Sequence, residues 1–292
     1  MSDVLFSIII PTYNHAHLIE RCLNSVISQT YHNWEAIVIN NFSEDNTIEV
    51  VEQFKDSRIR LVNYANNGII AASRNRGILE AKGEWICFLD SDDWWANNKL
   101  EECLFYLSNY DIIYHDFSIY RENNIKVGAA KKIKGRVLNG DLIADMLVNG
   151  NAIVTSSVVV RRDIIMQVGM MCEDKTLVGV EDYDYWLRIM KYTNRVKYIP
   201  KLLGFYYIGQ NTSGSIKQID KLTAIYNKYK KELSESDRIK TFVRIRYDQA
   251  RLYHMNGNFM CARKAYIEAL KGKYNVCKSL IGYLLTLFHY QY

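Results

Sequence analysis

Residues 85–94 read Trp-Ile-Cys-Phe-Leu-Asp-Ser-Asp-Asp-Trp, a short apolar run that ends in three carboxylates within four residues. An apolar run of this length is typical of a strand that is buried on both faces of a parallel sheet. The carboxylates of Asp90, Asp92 and Asp93 then follow the carboxyl end of that strand, where open α/β sheets bind their ligands. This stretch therefore predicts an α/β fold and the edge of its sheet at which a site lies.

The acidic residues also suggest a cation. Asp90 and Asp92 are separated by one residue, so a turn can direct both carboxylates at one point. Clustered carboxylates repel each other unless a cation joins them, and oxygen ligands suit Mg²⁺ or Mn²⁺. The alternative is an acidic turn that caps a helix predicted over residues 97–107, and we assign that capping role to Asp93.

Strand and helix patterns alternate along the first part of the chain. Strands are predicted over 6–10, 34–39, 59–62 and 85–89, and helices over 18–27, 46–54 and 69–81. This order predicts a mostly parallel sheet flanked by helices and joined by right-handed crossovers. Further strands are predicted over 111–115, 156–160 and 204–208, and further helices over 139–148 and 181–191. From about residue 216 onward the pattern is helical, and Gly257 divides one helical hairpin.

Composition divides the 292-residue chain into two regions, 1–214 and 215–292. The second region carries 15 Lys and Arg against 6 Asp and Glu, whereas the first carries 22 against 26. A basic region after an acidic body predicts an anionic partner, for which membrane headgroups and nucleic acid are both candidates. Solvated helix faces are the alternative. Because the chain has no recognisable nucleic-acid-binding motif, we expect no nucleic acid partner.

Three further features bear on the compartment of the protein. Its six cysteines form no Cys-x-x-Cys pair, so we expect reduced thiols and a cytoplasmic protein rather than disulfides or zinc. The apolar run at 7–10 is too short for a signal peptide and has no basic flank. The sequence has no apolar stretch of about 18 residues, so it predicts no membrane-spanning helix.

Four stretches of the chain carry a family resemblance. They are residues 7–14 (Ser-Ile-Ile-Ile-Pro-Thr-Tyr-Asn), 29–31 (Gln-Thr-Tyr), 78–93, and 179–188 (Gly-Val-Glu-Asp-Tyr-Asp-Tyr-Trp-Leu-Arg). In this order and spacing, residues 4–210 resemble the inverting glycosyltransferases of family 2, which have the nucleotide-sugar-binding GT-A fold. The resemblance implies a GT-A domain over 1–214 that moves one sugar, of the hexosyl type, from a nucleotide-sugar donor, most simply a UDP-sugar, to a hydroxyl.

The resemblance places the nucleobase of the donor at the carboxyl end of the first predicted strand. Pro11, Thr12 and Tyr13 would line the nucleobase pocket, with the Tyr13 ring stacked on uracil. The alternative for Tyr13 is an aromatic side chain packed on its own sheet. In the family, the second strand ends in two aspartates, glycine and serine, where this chain has Asn-Asn-Phe-Ser at 40–43.

This departure bears on base specificity. The Asn41 carboxamide oxygen can accept from uracil N3–H, while its NH₂ can donate to an acceptor on cytosine or guanine. Phe42 in place of glycine predicts a rebuilt turn.

The remaining donor residues follow from the same resemblance. Arg74 would contact the base or a phosphate, and a surface arginine on a helix is the alternative. Asp90, with Ser91 beside it, would bind the ribose or metal-bound water. Asp92 would bind the Mn²⁺ or Mg²⁺ ion that bridges the donor diphosphate.

The resemblance implies a catalytic pair at 181–182. Asp182 would be the general base that removes the proton of the acceptor hydroxyl, and Glu181 is its rival for that role. Trp186 would close the acceptor site, with a buried core aromatic as the alternative. Arg188 would support Asp182 or Glu181 by ion pairing. Variable loops over 121–136 and 170–178 are expected to form the acceptor pocket.

Residues 274–292 combine a short apolar segment with a basic flank. This pattern is similar to an interfacial membrane anchor, and a helix docked on the catalytic domain is the alternative. With the family's role in surface polysaccharides, it predicts a peripheral enzyme on the inner face of the plasma membrane. Its acceptor would be a lipid-linked saccharide in O-antigen, lipopolysaccharide or capsule assembly.

Two other functions remain open at this point. A nucleotidyltransferase shares the sheet and the carboxylates, but residues 11–17 lack the glycine- and lysine-rich phosphate loop that it would need. A catalytically decayed sugar- or nucleotide-binding scaffold is favoured by the loss of both acids at 40–41. The acids at Asp92 and Asp182 argue against it.

Overall fold

The computed structural model describes residues 4–121, 131–209 and 217–290. Over these residues, nine strands form one sheet in the order β3-β2-β1-β4-β8-β6-β9-β5, with β7 paired to β6. The strands are β1 (Phe6–Thr12), β2 (Trp34–Asn40), β3 (Ile59–Asn63), β4 (Trp85–Phe88), β5 (Trp94–Trp95), β6 (Ile112–Tyr120), β7 (Lys132–Ile133), β8 (Val159–Arg161) and β9 (Val196–Tyr207).

Eleven α-helices are formed by the same described residues. They are α1 (Ala16–Ile27), α2 (Thr47–Glu52), α3 (Ile70–Glu80), α4 (Lys99–Leu104), α5 (Leu142–Asn149), α6 (Arg162–Val168), α7 (Glu181–Met190), α8 (Lys217–Tyr229), α9 (Glu235–Met255), α10 (Phe259–Lys271) and α11 (Val276–Leu287).

The parallel half of the sheet has the strand and helix order that the sequence predicts. β3, β2, β1 and β4 are neighbours with parallel pairing. All seven residues of β1 and all seven of β2 are buried, as expected for strands covered on both faces. Thr12 pairs with Asn40, and the Leu89 N–H donates to the Ile9 carbonyl at 3.0 Å. The residues that follow β1, β2 and β4 therefore meet at one edge.

The second half of the sheet is mixed. β8 lies antiparallel between β4 and β6, β6 and β9 are parallel, and β5 is antiparallel to β9. β9 has twelve residues instead of the five predicted over 204–208. Its first part was not predicted because of Pro200, which normally breaks a strand but here lies in the register shift between the pairs His115–Ile199 and Asp116–Leu202.

The chain divides into two compact units. The first contains the described residues of 1–138, 152–175 and 181–209, and with them the whole sheet. The second contains those of 139–151, 176–180 and 210–292. In the second unit, α9 and α10 form the predicted hairpin, and Gly257 turns between them with φ +74°. Tyr247 and Ala250 pack there against Ala262 and Tyr266.

All six cysteines are described and unpaired, and Cys22, Cys87 and Cys103 are buried. Among the described helices, none combines the length and the apolar character required to cross a bilayer.

Gly77 allows α3 to pack directly on β1, because a Cβ at this position would lie 2.3 Å from Cγ2 of the fully buried Ile9. We expect Gly77→Ala to lower the free energy of unfolding by about 1–3 kcal/mol through overpacking, measured by urea denaturation. Leu79→Ala is the control, since Leu79 is 64% exposed on the same helix. A Gly77→Ala protein as stable as the control would contradict the close contact.

Candidate functional site

A cavity of about 360 Å³ opens at the carboxyl ends of β1, β2 and β4. Its lining includes most of the residues that the sequence assigned to the donor and metal. The lining residues are Pro11, Thr12, Tyr13, His15, Asn41, Asn66, Gly68, Ile70, Asp90, Ser91 and Asp92. The sequence analysis assigned no role to Asn66, Gly68 or Ile70: the first two belong to the β3–α3 connection, Ile70 begins α3, and none of the three carries a charge.

The β1 end of the cavity exposes an aromatic ring. The Tyr13 side chain is 46% exposed, so it is not packed on its own sheet. Beside it, Thr12 is buried, and its Oγ1 has no hydrogen-bond partner among the described residues. An unpartnered buried hydroxyl in a cavity wall is a group that a ligand or water can satisfy. A ring for stacking and a hydroxyl for hydrogen bonding therefore stand side by side.

Asn41 presents its amide to the cavity in a defined orientation. Its Oδ1 accepts from the Asn66 backbone N–H at 2.9 Å. Since the opposite amide orientation would place two donors against each other, the NH₂ group is directed away from this contact. The adjacent Asn40 is fully buried and donates to the Asn63 Oδ1 at 2.7 Å. The two amides therefore differ in role: Asn40 is structural, and Asn41 faces the cavity.

Phe42 follows these amides with φ +53°. This left-handed conformation costs a residue with a Cβ about 1–2 kcal/mol, whereas glycine adopts it freely. The turn thus has a backbone shape that suits glycine, with an exposed phenylalanine in it.

The three aspartates after β4 have different surroundings. Asp90 pairs with Arg74, and Asp92 lines the cavity. Burial, together with the nearby Asp90 charge, raises the pKa of Asp92 to about 6. Asp93 points inward and accepts from the Tyr207 N–H at 3.0 Å. The predicted capping role of Asp93 is wrong, because α4 begins after Asn98 and Asp93 instead joins the acidic turn to β9.

The acidic turn fits a cation that shares its shell with a ligand. Within the described residues, no group of three or more His, Cys, Asp or Glu side chains is arranged to hold a metal ion. Mg²⁺ and Mn²⁺ nevertheless bind through one or two carboxylates when phosphates and water supply the rest. Asp92, with its raised pKa and its place in the cavity wall, has the chemistry of such a ligand.

Arg74 connects this turn to the second acidic motif. Its side chain is buried, and its two terminal nitrogens contact Asp90 Oδ1 and Glu181 Oε1, each at 2.8 Å. Burial alone would lower the pKa of this guanidinium, but Asp90, Glu181 and Asp182 raise it above its ordinary value. The alternative of a surface arginine is therefore wrong. A contact of Arg74 with base or phosphate stays a prediction.

Asp182 lies next to this bridge on the first turn of α7. Its Oδ2 accepts from the Thr155 hydroxyl at 2.7 Å, and its Oδ1 accepts from the Tyr183 N–H at 2.7 Å. Burial and the neighbouring Glu181 charge raise the pKa of Asp182 to about 6. Glu181 is almost completely buried and bound to Arg74, whereas Asp182 is partly exposed. Of the two carboxylates, that of Asp182 is therefore the more accessible.

Two predictions on α7 are corrected. Trp186 is fully buried, with its ring 5.9 Å from that of Phe88, so it is a core aromatic and does not close an acceptor site. Arg188 pairs with Asp184 at 3.2 Å rather than with Asp182 or Glu181. Residues four apart share a face of a helix, whereas 182 and 188 lie on different faces.

Asn75, which sequence reasoning did not assign, fixes the segment near the predicted acceptor loop. Its amide donates to the Met171 carbonyl at 2.9 Å and accepts from the Met171 N–H at 2.8 Å. Its position beside Arg74 was the available signal. Of the other predicted acceptor loop, 121–136, residues 122–130 lie outside the described residues.

Residues 7–169 match the family described as Glycosyl transferase family 2. The chain belongs to this family. An Escherichia coli relative of the family, the UDP-Glc:alpha-D-GlcNAc-diphosphoundecaprenol beta-1,3-glucosyltransferase WfgD, is 36% identical over 66% of this chain and 73% of its own. An uncharacterized glycosyltransferase of Haemophilus influenzae is 33% identical over 74% of this chain and 84% of its own.

Two solved structures show that the fold is shared with other proteins. S. aureus TarS 1–349 in complex with UDP-GlcNAc aligns with TM-score 0.64 and 16% identity, covering 96% of this chain and 90% of TarS. The Pyrobaculum calidifontis mannosyltransferase PcManGT, in complex with GDP-Man and Mn²⁺, aligns with TM-score 0.62 and 19% identity, covering 98% and 80%. The predicted GT-A fold with its C-terminal helices is confirmed, and the protein is a glycosyltransferase.

The Arg74 bridge yields a stability prediction. Arg74→Met would remove the guanidinium from the buried Glu181 carboxylate, so we expect a loss of about 3–5 kcal/mol in the free energy of unfolding. Arg76→Met is the matched control, since Arg76 lies on the same helix and pairs with Glu80 at the surface. Its loss should stay within about 1 kcal/mol. Equal urea midpoints for the two variants would show that the bridge is not a buried ion pair.

Proposed function

We propose that the protein transfers a single sugar from a UDP-sugar to a hydroxyl of a lipid-linked saccharide, with inversion at the anomeric carbon. The proposal rests on one observation. Tyr13 and the acidic turn line the same cavity, and Arg74 joins that turn to Glu181, the neighbour of Asp182. The name of the relative WfgD, which gives a UDP-Glc donor and a diphosphoundecaprenol-linked acceptor, supports the choice of both substrates.

On the donor side, the chain supplies binding and orientation. Tyr13 offers a ring on which a base can stack, and the Asn41 NH₂ can donate to a carbonyl oxygen of uracil. Asp90 binds the ribose while Arg74 holds its carboxylate in place. Asp92, with Asp90 beside it, would hold Mn²⁺ or Mg²⁺, whose charge stabilises the departing nucleotide diphosphate.

On the acceptor side, Asp182 acts as the general base. It accepts the proton of the acceptor hydroxyl as that oxygen attacks the anomeric carbon from the face opposite the nucleotide. The Thr155 hydroxyl holds the Asp182 carboxylate in one orientation, and the Arg74–Glu181 pair fixes the start of α7. A pKa of about 6 keeps Asp182 ionised at neutral pH yet more basic than an ordinary aspartate.

This role predicts the pH dependence of transfer. Because the base must be ionised, kcat/KM should fall as the pH decreases through about 6. Thr155→Val removes a hydrogen bond that lowers the Asp182 pKa, so the acidic limb should move upward by about one unit. The pH profile of sugar transfer measures this shift, and Asp182→Asn should lose roughly 10²–10⁴-fold in rate.

Ser157→Ala is the control for this experiment, since Ser157 lies in the same turn and donates to the Val154 carbonyl instead. It should leave the acidic limb in place. Near-normal transfer by Asp182→Asn would overturn the assignment of the base.

The donor site is tested first by calorimetry with UDP-, GDP-, CDP- and dTDP-sugars, with and without Mn²⁺. We expect metal-dependent binding of the UDP-sugar. In Asn41→Asp, the carboxylate can accept from uracil N3–H but faces a lone pair on cytosine N3. The ratio of the CDP to the UDP Kd should therefore rise about tenfold or more.

Asn67→Asp adds the same charge in the adjacent β3–α3 connection, outside the cavity lining, and should leave this ratio unchanged. An unchanged ratio in Asn41→Asp would exclude a contact between Asn41 and the base. If the wild-type protein binds none of the four nucleotide-sugars and hydrolyses none, the decayed-scaffold alternative replaces the transferase.

A lipid-linked acceptor implies work at a membrane surface. We therefore include in the proposal a peripheral location on the cytoplasmic face of the plasma membrane. The basic balance of residues 215–292 supports it, because anionic headgroups attract Lys and Arg.

A further inference from the structure

Helix α11 packs with its small residues inward. Ser279, Gly282 and Thr286 are its buried positions. A Cβ at Gly282 would lie 2.4 Å from the Tyr266 ring, so glycine lets α11 approach α10 closely. Ser279 and Thr286 donate to main-chain carbonyls of Tyr274 and Tyr283, which satisfies their hydroxyls. The contact with the rest of the second unit thus relies on small residues, with Tyr283 packed beside them and Leu285 half-buried.

Most of the large apolar side chains of α11 point outward. Five of them are between 42% and 58% exposed, namely Val276, Leu280, Ile281, Leu284 and Leu287. Positions 276, 280, 284 and 287 follow the helical repeat and share one face. Phe288, which is 80% exposed, and Tyr290 extend this apolar surface beyond the helix. A surface helix normally has the reverse arrangement, with its apolar stripe on the core.

The charges around this face select its partner. The sequence has no Asp or Glu over residues 269–292, while Lys271, Lys273 and Lys278 are present and exposed. A second copy of the same face would bring like charges together. An anionic surface with an apolar interior instead satisfies both the lysines and the apolar side chains.

We propose that the outward face of α11, defined by Val276, Leu280, Ile281, Leu284 and Leu287, docks on an anionic lipid bilayer. Twelve residues form a helix about 18 Å long, so α11 lies along the interface with its apolar face in the acyl boundary. The inference deepens the proposed function, whose lipid-linked acceptor is found at such a surface. The exposed lysines bind the headgroups from the edge of the helix.

The test is co-sedimentation of the full-length protein with vesicles of phosphatidylglycerol and phosphatidylcholine, compared with phosphatidylcholine alone. We expect binding to the anionic vesicles that weakens as salt increases. The double variant Ile281→Ser/Leu284→Ser should lose about tenfold or more in partitioning. The matched control is Ile239→Ser/Phe242→Ser on α9. In each pair the isoleucine is 58% exposed and the second residue is 45% exposed. It should bind like the wild type.

Three outcomes would overturn the proposal: no binding of the folded wild-type protein to anionic vesicles, equal losses in the two double variants, or a wild-type dimer that the α11 variant abolishes. Nucleotide-sugar binding is measured on the same proteins by calorimetry. The α11 variant should keep it, so a failure of membrane docking is distinguishable from a failure of the donor site.

Discussion

A single buried guanidinium organises the chemistry of this protein. Arg74 extends from α3 to the acidic turn after β4 and to the first residue of α7, two segments that are far apart in the chain. An arginine can do this because its planar fork offers separate donors to two carboxylates, which a lysine does not. Each carboxylate is also less costly to bury with the guanidinium beside it. The aspartates of the acidic turn and the adjacent Asp182 are thus parts of one electrostatic unit.

That unit needs precise support from the backbone. The parallel strands end in register. The close approach of α3 to β1 at Gly77 fixes the distance between the sheet and the helix that carries Arg74. Amide groups fill the neighbouring turn, where Asn40 and Asn41 hold the ends of β2 and β3 together through Asn63 and Asn66. The scaffold is therefore neutral on one side of the cavity and strongly charged on the other.

The sequence predicts much of this because fully buried strands leave an unmistakable apolar pattern. β1, β2, β4 and the acidic turn were predicted on that basis, whereas the half-buried β3 followed from the alternating order and the α9–α10 hairpin from its helical spacing. The first part of β9 was not predicted because Pro200 interrupts its pattern, and α6 was not predicted because it begins directly after β8 with no turn residue between them.

Side-chain roles were harder to predict than elements. Trp186 and Arg188 were assigned by their distance from Asp182 along the chain, but α7 is buried on most of its surface, so periodicity cannot identify its functional face. The partner of Arg74 at 181 is separated from it by 107 positions, and no local pattern can indicate such a contact. Arg188 illustrates the same point, since its strongest contact is to a main-chain oxygen of Met170 at 2.6 Å.

Residues 170 and 171 are held through their main-chain atoms, whereas Glu173, further along the same segment, is bound by Asn75 through its carboxylate at 2.7 Å. Arg188 binds the carbonyl of Met170, and Asn75 binds both the N–H and the carbonyl of Met171. Such anchors are indifferent to the side chains of the residues they hold. The side chains at 170 and 172 are therefore free to diversify during evolution while the path of the backbone is kept. If this segment borders the acceptor, new sugar preferences can arise here without any change in the catalytic framework.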